Sequence, residues 1–286
     1  MFVKVNGIRL YVDVEGAGLV PDGPRMRQKP TLILLHGGPG ADHSIYKPAF
    51  SALSDITQIV YYDHRGCGRS EDGPRESWTL AQWGDDVKGL CDALGIEKPI
   101  VLGTSFGGFV AQSYATRHPE HAAKLILIST AAKFDFTATY AAFERIGGLP
   151  AGQIARSYWS APSPETRAPY LEICFPLYSA RPQSDSTDWI RRLITRNETG
   201  IRFNGPNNEQ GRFDFRAALA DLTCPVLVMG GEEDPITPIA FSEVIADSLP
   251  PEQVRFERFA GCGHGIVPDD PERALAVLRS FILASA

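Results

Sequence analysis

A chain of 286 residues with 43% apolar and 22% charged side chains is long enough for one large α/β domain with a smaller inserted unit. Its net charge of -6 argues against a nucleic-acid partner, because a phosphate backbone needs a concentrated basic face. No apolar run reaches membrane-spanning length, so no membrane partner is expected. The five cysteines are an odd number without a C-x-x-C pair. They fit free thiols in a reducing cytoplasm, and neither a disulfide scaffold nor a zinc site.

The start, MFVKVNGIRLYVDVEG, has no charged stretch leading into an apolar one and does not read as a secretion signal. Its alternating runs 2-FVKV-5 and 8-IRLYVDV-14 flank Asn6-Gly7, the strongest short signal for an antiparallel hairpin. The Pro- and Gly-rich stretch 21-PDGPRMRQKP-30 predicts a surface loop. Near-continuous apolar runs follow at 31-TLILLHG-37, 58-QIVYYD-63, 99-PIVLGT-104, 124-KLILIS-129, 225-PVLVMG-230 and 254-VRFERF-259. Helical patterns at 79–95, 106–118 and 271–284 lie between or after them. That alternation predicts an α/β fold: a mostly parallel sheet with an N-terminal antiparallel hairpin and helices on both faces.

One connection is too long for a plain crossover. Residues 131–215 carry helical patterns at 137–147 and 187–197 and prolines at 162, 164, 169 and 182. They read as an inserted helical cap, or lid, on a core made of residues 1–130 and 216–286.

The run 101-VLGTSFGGFVAQSYA-115 sets one hydroxyl among glycines between a strand and a helix. G-x-S-x-G in that context is a nucleophile elbow, a turn so sharp that side chains at 103 and 107 would collide. Ser105 would stand at the carboxyl edge of the sheet. A serine needs a base, and the base an orienter. His264, in the glycine-flanked 261-GCGHG-265, is the one late histidine able to swing over Ser105. For the orienting acid, Asp234 in 232-EEDPITP-238 is preferred because its short side chain sits at the turn, with Glu232, Glu233 and Asp135 as rivals. Oxyanion donors are expected from the Phe106 N–H and from 36-HGGPG-40, with Gly38 assigned and Gly37 as runner-up. No cluster has metal-ligand spacing, so no metal is expected.

These pieces together resemble the α/β-hydrolase family and, more closely, its proline-iminopeptidase-like branch. The closer resemblance is carried by 36-HGGPG-40, 62-YDHRGCGRS-70, the elbow, 204-NGPNNE-209, 232-EEDPITP-238 and 261-GCGHG-265, and it covers nearly the whole chain. It implies Ser105, Asp234 and His264 as the triad, no cofactor, and a scaffold role for 62–70. It also implies recognition of a free N-terminal amine by carboxylates in or near the cap. There the chain departs from the family pattern N-G-P-N-E: Asn208 stands where the glutamate falls, Glu209 comes one place later, and Asp234 is followed by Pro235. Asn208 and Glu209 are therefore the candidate substrate-binding residues.

The expectation is a serine hydrolase of small-molecule or short-peptide esters or amides. A proline iminopeptidase, a lactonase and a carbon–carbon bond hydrolase are alternatives within this class. A binding protein on the same scaffold is the alternative outside it, and the filled catalytic positions count against it. Phe143, Trp159 and Trp189 are available to line a cap pocket or to form its core.

Overall fold

In the computed structural model of the chain, which describes residues 1–181 and 188–284, Asn6 and Gly7 both take positive φ, 44° and 84°. This is the backbone of a two-residue hairpin turn, and β1 (Phe2–Val5) and β2 (Ile8–Glu15) pair antiparallel across it. A second small hairpin follows, β3 (Leu19–Asp22) with β4 (Arg25–Gln28). It corrects the loop expected over 21–30. Both strands are exposed or half-buried, so no apolar alternation announced them, and only Asp22-Gly23 carried a turn signal.

The remaining strands are β5 (Thr31–Leu35), β6 (Gln58–Tyr62), β7 (Ile100–Thr104), β8 (Lys124–Ile128), β9 (Val226–Gly231) and β10 (Val254–Phe259). They complete one eight-stranded sheet ordered β1-β2-β6-β5-β7-β8-β9-β10. All pairings from β6 to β10 are parallel. Strand alternation divides the apolar runs between two cores. Ile33 and Leu35 pack with Trp83, Val87 and Tyr114 on one face, whereas Leu32 and Leu34 pack with Phe50, Leu53 and Phe281 on the other. Each fully buried aliphatic side chain contributes about 1.5–3 kcal/mol, which fixes strand register tightly.

Helices α1 (Leu80–Leu94) and α2 (Phe106–Arg117) supply the first face. Thr79 caps α1 through a hydrogen bond from the Gln82 N–H, and Gly95 ends it at φ 68°, as glycine permits. Between β8 and β9 lie α3 (Phe136–Ser160), α4 (Pro164–Ile173), α5 (Asp188–Arg192), α6 (Asn197–Phe203) and α7 (Arg216–Leu219). Then come α8 (Ile239–Asp247), α9 (Ile266–Asp269) and α10 (Pro271–Leu283).

α3 bends at Gly148 (φ 78°, ψ 175°), two residues before Pro150. Pro162 lies between α3 and α4, Pro164 opens α4 behind the capping residue Ser163, and Pro169 lies within that helix. Over 187–197 only Asp188–Arg192 is helical before α6 begins; Pro182 and Thr187 lie outside the described residues. The two ends of the connection meet. Lys133 and Asp214 form an antiparallel bridge and an ion pair of 3.4 Å, and the Phe215 N–H donates to the Ala132 carbonyl at 2.8 Å. All five cysteines are buried and free. Among the described residues no helix is long and apolar enough to cross a membrane.

Candidate active site

β7 delivers Ser105 to the carboxyl edge of the sheet, and α2 begins at the next residue. Ser105 holds φ 55° and ψ -121°, a conformation that costs a residue with a side chain about 1–3 kcal/mol. The chain passes so tightly here that a Cβ on Gly103 would lie 2.2 Å from the Gly107 carbonyl oxygen, and one on Gly107 would lie 1.9 Å from the Leu35 carbonyl oxygen. The elbow is tied to its neighbour strand by the Ser105 N–H, which donates to the Ile128 carbonyl at 3.0 Å. The Thr130 hydroxyl donates to the Ser105 carbonyl at 2.9 Å.

Asp234 follows β9 and His264 follows β10, so both arrive at the same edge as Ser105. His264 Nδ1 lies 2.7 Å from Asp234 Oδ2. Asp234 is fully buried, and its carboxylate accepts three further hydrogen bonds: from the Ile236 N–H (2.8 Å), the Thr237 N–H (2.9 Å) and the Thr237 hydroxyl (2.7 Å). A carboxylate so supplied accepts from the imidazole, placing its proton on Nδ1 and leaving Nε2 with a free lone pair. The rivals lie elsewhere. Glu232 is exposed, Glu233 pairs with Arg145 at 3.1 Å, and Asp135 caps α3. Thr237 escaped the sequence reading, although a threonine three residues after an aspartate is a recognisable turn signature.

The 36–40 loop leaves β5, the neighbour of β7. A Cβ on Gly37 would stand 3.4 Å from the Ser105 Cβ, so the loop lies directly against the elbow. Its shape is set by His36. The His64 N–H donates to His36 Nε2 (3.1 Å), so the His36 proton sits on Nδ1 and donates to the Gly37 carbonyl (2.8 Å). That carbonyl is turned toward His36, so the N–H of Gly38, on the other side of the same trans peptide, is turned away from it. His64 is held likewise: its Nε2 donates to the His36 carbonyl (3.2 Å) and its Nδ1 accepts from the Tyr62 hydroxyl (3.0 Å). Burial pushes both imidazoles below their ordinary pKa, His64 well below, so the pair is neutral. No local spacing could have shown His64, because its partner belongs to another strand.

Phe106 is fully buried against Trp83 and Phe203, with ring centroids 5.0 and 4.9 Å away. As the first residue of α2 its N–H has no intrahelical acceptor. The helix end beside Ser105 thus offers a free donor and a favourable dipole.

The 204–209 segment behaves differently. The Asn208 amide donates to the Ile201 and Asn204 carbonyls, and Glu209 Oε1 accepts from the Leu80 N–H at the start of α1 (3.0 Å). Asn204 instead reaches the Tyr158 hydroxyl at 2.8 Å. Phe143 and Trp159 are buried in the larger core, whereas Trp189 is half-buried near Phe175.

Beside the 36–40 loop, Asp42, His43 and Asp63 come within 4.8 Å of one another, all buried. Their lone pairs are engaged internally: Asp63 accepts from His43 Nδ1 (2.6 Å) and the Arg69 N–H (2.8 Å), and Asp42 accepts from Arg69 Nη1 (2.6 Å). Together with the buried Arg65–Asp86 pair at 2.8 Å, they brace the 62–70 segment as scaffold.

Comparison with known proteins matches this architecture. A family model described as the alpha/beta hydrolase fold matches residues 30–147. The proline iminopeptidase PfmaB of Pestalotiopsis fici is 30% identical over 259 residues, covering 87% of each chain. The RutD protein of Caulobacter vibrioides, named as a carbamate hydrolase, is 28% identical over 271 residues, covering 88% of this chain and 90% of its own. The crystal structure of proline iminopeptidase from Mycobacterium smegmatis superposes with a TM-score of 0.76 at 25% identity, covering 99% of this chain and 97% of that one. With its sheet order, its elbow and these relatives in agreement, the chain belongs to the α/β-hydrolase family, on the proline-iminopeptidase-like branch, and is a hydrolase.

Proposed function

We propose that the protein is a serine hydrolase that cleaves carboxylic ester or amide bonds of small substrates through an acyl-enzyme on Ser105. The observation that carries this reading is the buried His264–Asp234 pair, 2.7 Å apart, delivered to the sheet edge where Ser105 sits at φ 55°. Ser105 Oγ attacks the carbonyl carbon as His264 Nε2 takes its proton, and Asp234 holds the imidazole and the charge it gains. The N–H groups of Gly38 and Phe106 receive the oxyanion. His264 then returns the proton to the leaving group, and water attacks the acyl-enzyme by the reverse path. No step calls for a metal or cofactor. The stapled segment 131–215 is the cap over this site.

The hydrogen bonds of Asn208 and Glu209 favour substrates without a cationic amine, since a buried ammonium needs a facing carboxylate. The proline iminopeptidase relatives favour the opposite reading, capture of an N-terminal proline. The relative named for carbamate hydrolysis adds carbamates, whose carbonyl the same machinery can attack. The test is kcat/KM for proline p-nitroanilide, p-nitrophenyl butyrate and a p-nitrophenyl carbamate, with Ser105→Ala as background. Butyrate turnover far above anilide turnover, falling at least about 10⁴-fold in Ser105→Ala, is expected. Unchanged butyrate turnover in pure Ser105→Ala would overturn the mechanism. Anilide cleavage that exceeds butyrate cleavage would establish amine recognition.

A further inference from the structure

We propose that Asp269 is a positioning residue for His264, a clasp that ties the histidine loop to the cap so that the imidazole is in place only when the cap segment 178–180 is docked. The inference rests on the serine-hydrolase reading above. Asp269 ends the short α9 and is 2% exposed, yet among the described residues no lysine, arginine or histidine pairs with it. A buried carboxylate must then be satisfied by neutral donors, and its donors come from two separate places. Oδ2 accepts the Gly263 N–H at 2.7 Å, one residue before His264. It also accepts the Ala180 N–H at 3.1 Å, and Oδ1 accepts the Ser179 hydroxyl. Both of those residues belong to the inserted segment.

The preceding residue, Tyr178, closes the ring of contacts. Its carbonyl accepts the His264 N–H at 2.7 Å and the Gly265 N–H at 3.3 Å, and its ring packs edge-on to the imidazole with centroids 5.5 Å apart. The fit leaves no slack, because a Cβ on Gly263 would lie 2.4 Å from the Tyr178 carbonyl oxygen. His264 therefore has its side chain held by Asp234 and its backbone held by Tyr178, and Asp269 is the group that fastens Tyr178's segment and the histidine loop to each other. Loss of the clasp frees both at once. A shift of an ångström in a general base is enough to cost about 100-fold in rate.

The experiment measures kcat and KM for p-nitrophenyl butyrate in wild type, Ser105→Ala, Asp269→Asn and Ser179→Ala. Rates are normalised to the folded fraction from urea unfolding at the assay temperature. Asp269→Asn is expected to lower kcat about 10- to 100-fold with KM within about threefold. Ser179→Ala, which removes one donor, is expected to lower kcat at least about threefold in the same pattern. If Asp269→Asn does not fold, Ser179→Ala alone decides. A fall in unfolding midpoint with kcat per folded molecule within twofold of wild type would overturn the inference, leaving Asp269 a structural staple. Activity surviving in Ser105→Ala would instead strike the serine-hydrolase reading, so the two failures are told apart.

Discussion

At the carboxyl edge of the sheet, polar groups converge on one another; in the 204–209 segment, they turn back onto the chain. Asp234 gathers four donors, one of them His264. Asn208 donates its amide to the Ile201 and Asn204 carbonyls, and Glu209 gives a carboxylate oxygen to the N-terminal end of α1. The loops of the first region inherit their positions from strands locked by burial on both faces. The second region has no such register, and its carboxylate is engaged at the start of α1. A motif anchored to a parallel sheet predicts where an atom sits; a motif in an insertion predicts only which atoms are nearby.

Substitutions can break or sharpen this contrast. The largest effect is expected from Asp234→Asn, which cannot hold the imidazole proton on Nδ1; kcat should drop about 10⁴-fold, and a drop below tenfold would show that Asp234 is not the orienter. His36→Ala should lower kcat about 10- to 100-fold by releasing the 36–40 loop, because both nitrogens of the imidazole are engaged by the Gly37 carbonyl and the His64 N–H.

The same histidines give the fold a pH dependence. In the unfolded chain they titrate near 6.5, whereas burial holds their folded-state pKa lower. Between those values the unfolded chain binds protons that the folded chain refuses, so stability falls as pH drops below 6.5. The slope is up to about 1.4 kcal/mol per pH unit for each histidine. Urea unfolding at pH 7.5 and 5.5 should show it, and His36→Ala should flatten it.

The smallest effect is expected from Glu209→Ala: about 1 kcal/mol of stability from the helix end that loses its acceptor, with KM for butyrate unchanged. Selective loss of proline p-nitroanilide turnover in that variant would erase the contrast by making Glu209 a substrate ligand.

The sequence showed the frame clearly because its signals are local. Asn6-Gly7, the apolar strands and the G-T-S-F-G elbow each follow from backbone sterics within a few residues, and the strands appear within a residue or two of where their apolar runs lie. The choice among Glu232, Glu233 and Asp234 was not local. It depends on which carboxylate the loop buries, and only the fold shows Asp234 inside with Thr237 against it. The β3–β4 hairpin was hidden because an exposed strand leaves no apolar alternation. Asp269 and His64 were hidden for a third reason: each works across elements far apart in the chain, where spacing carries no information.

The bridge between Lys133 and Asp214 joins the two ends of the segment 131–215 and acts as its neck. Lys133 and Asp214 form an isolated antiparallel bridge, so the two ends of residues 131–215 leave the core side by side, while Tyr178, Ala180 and Glu209 tie the intervening length back to it. Closing a longer loop between fixed ends costs only about 0.6 kcal/mol per doubling of length. The neck alone therefore sets little limit on the length of chain between Lys133 and Asp214; the contacts at Tyr178 and Asp269 set it. The neck holds the two ends of the segment together, and the histidine loop holds its middle.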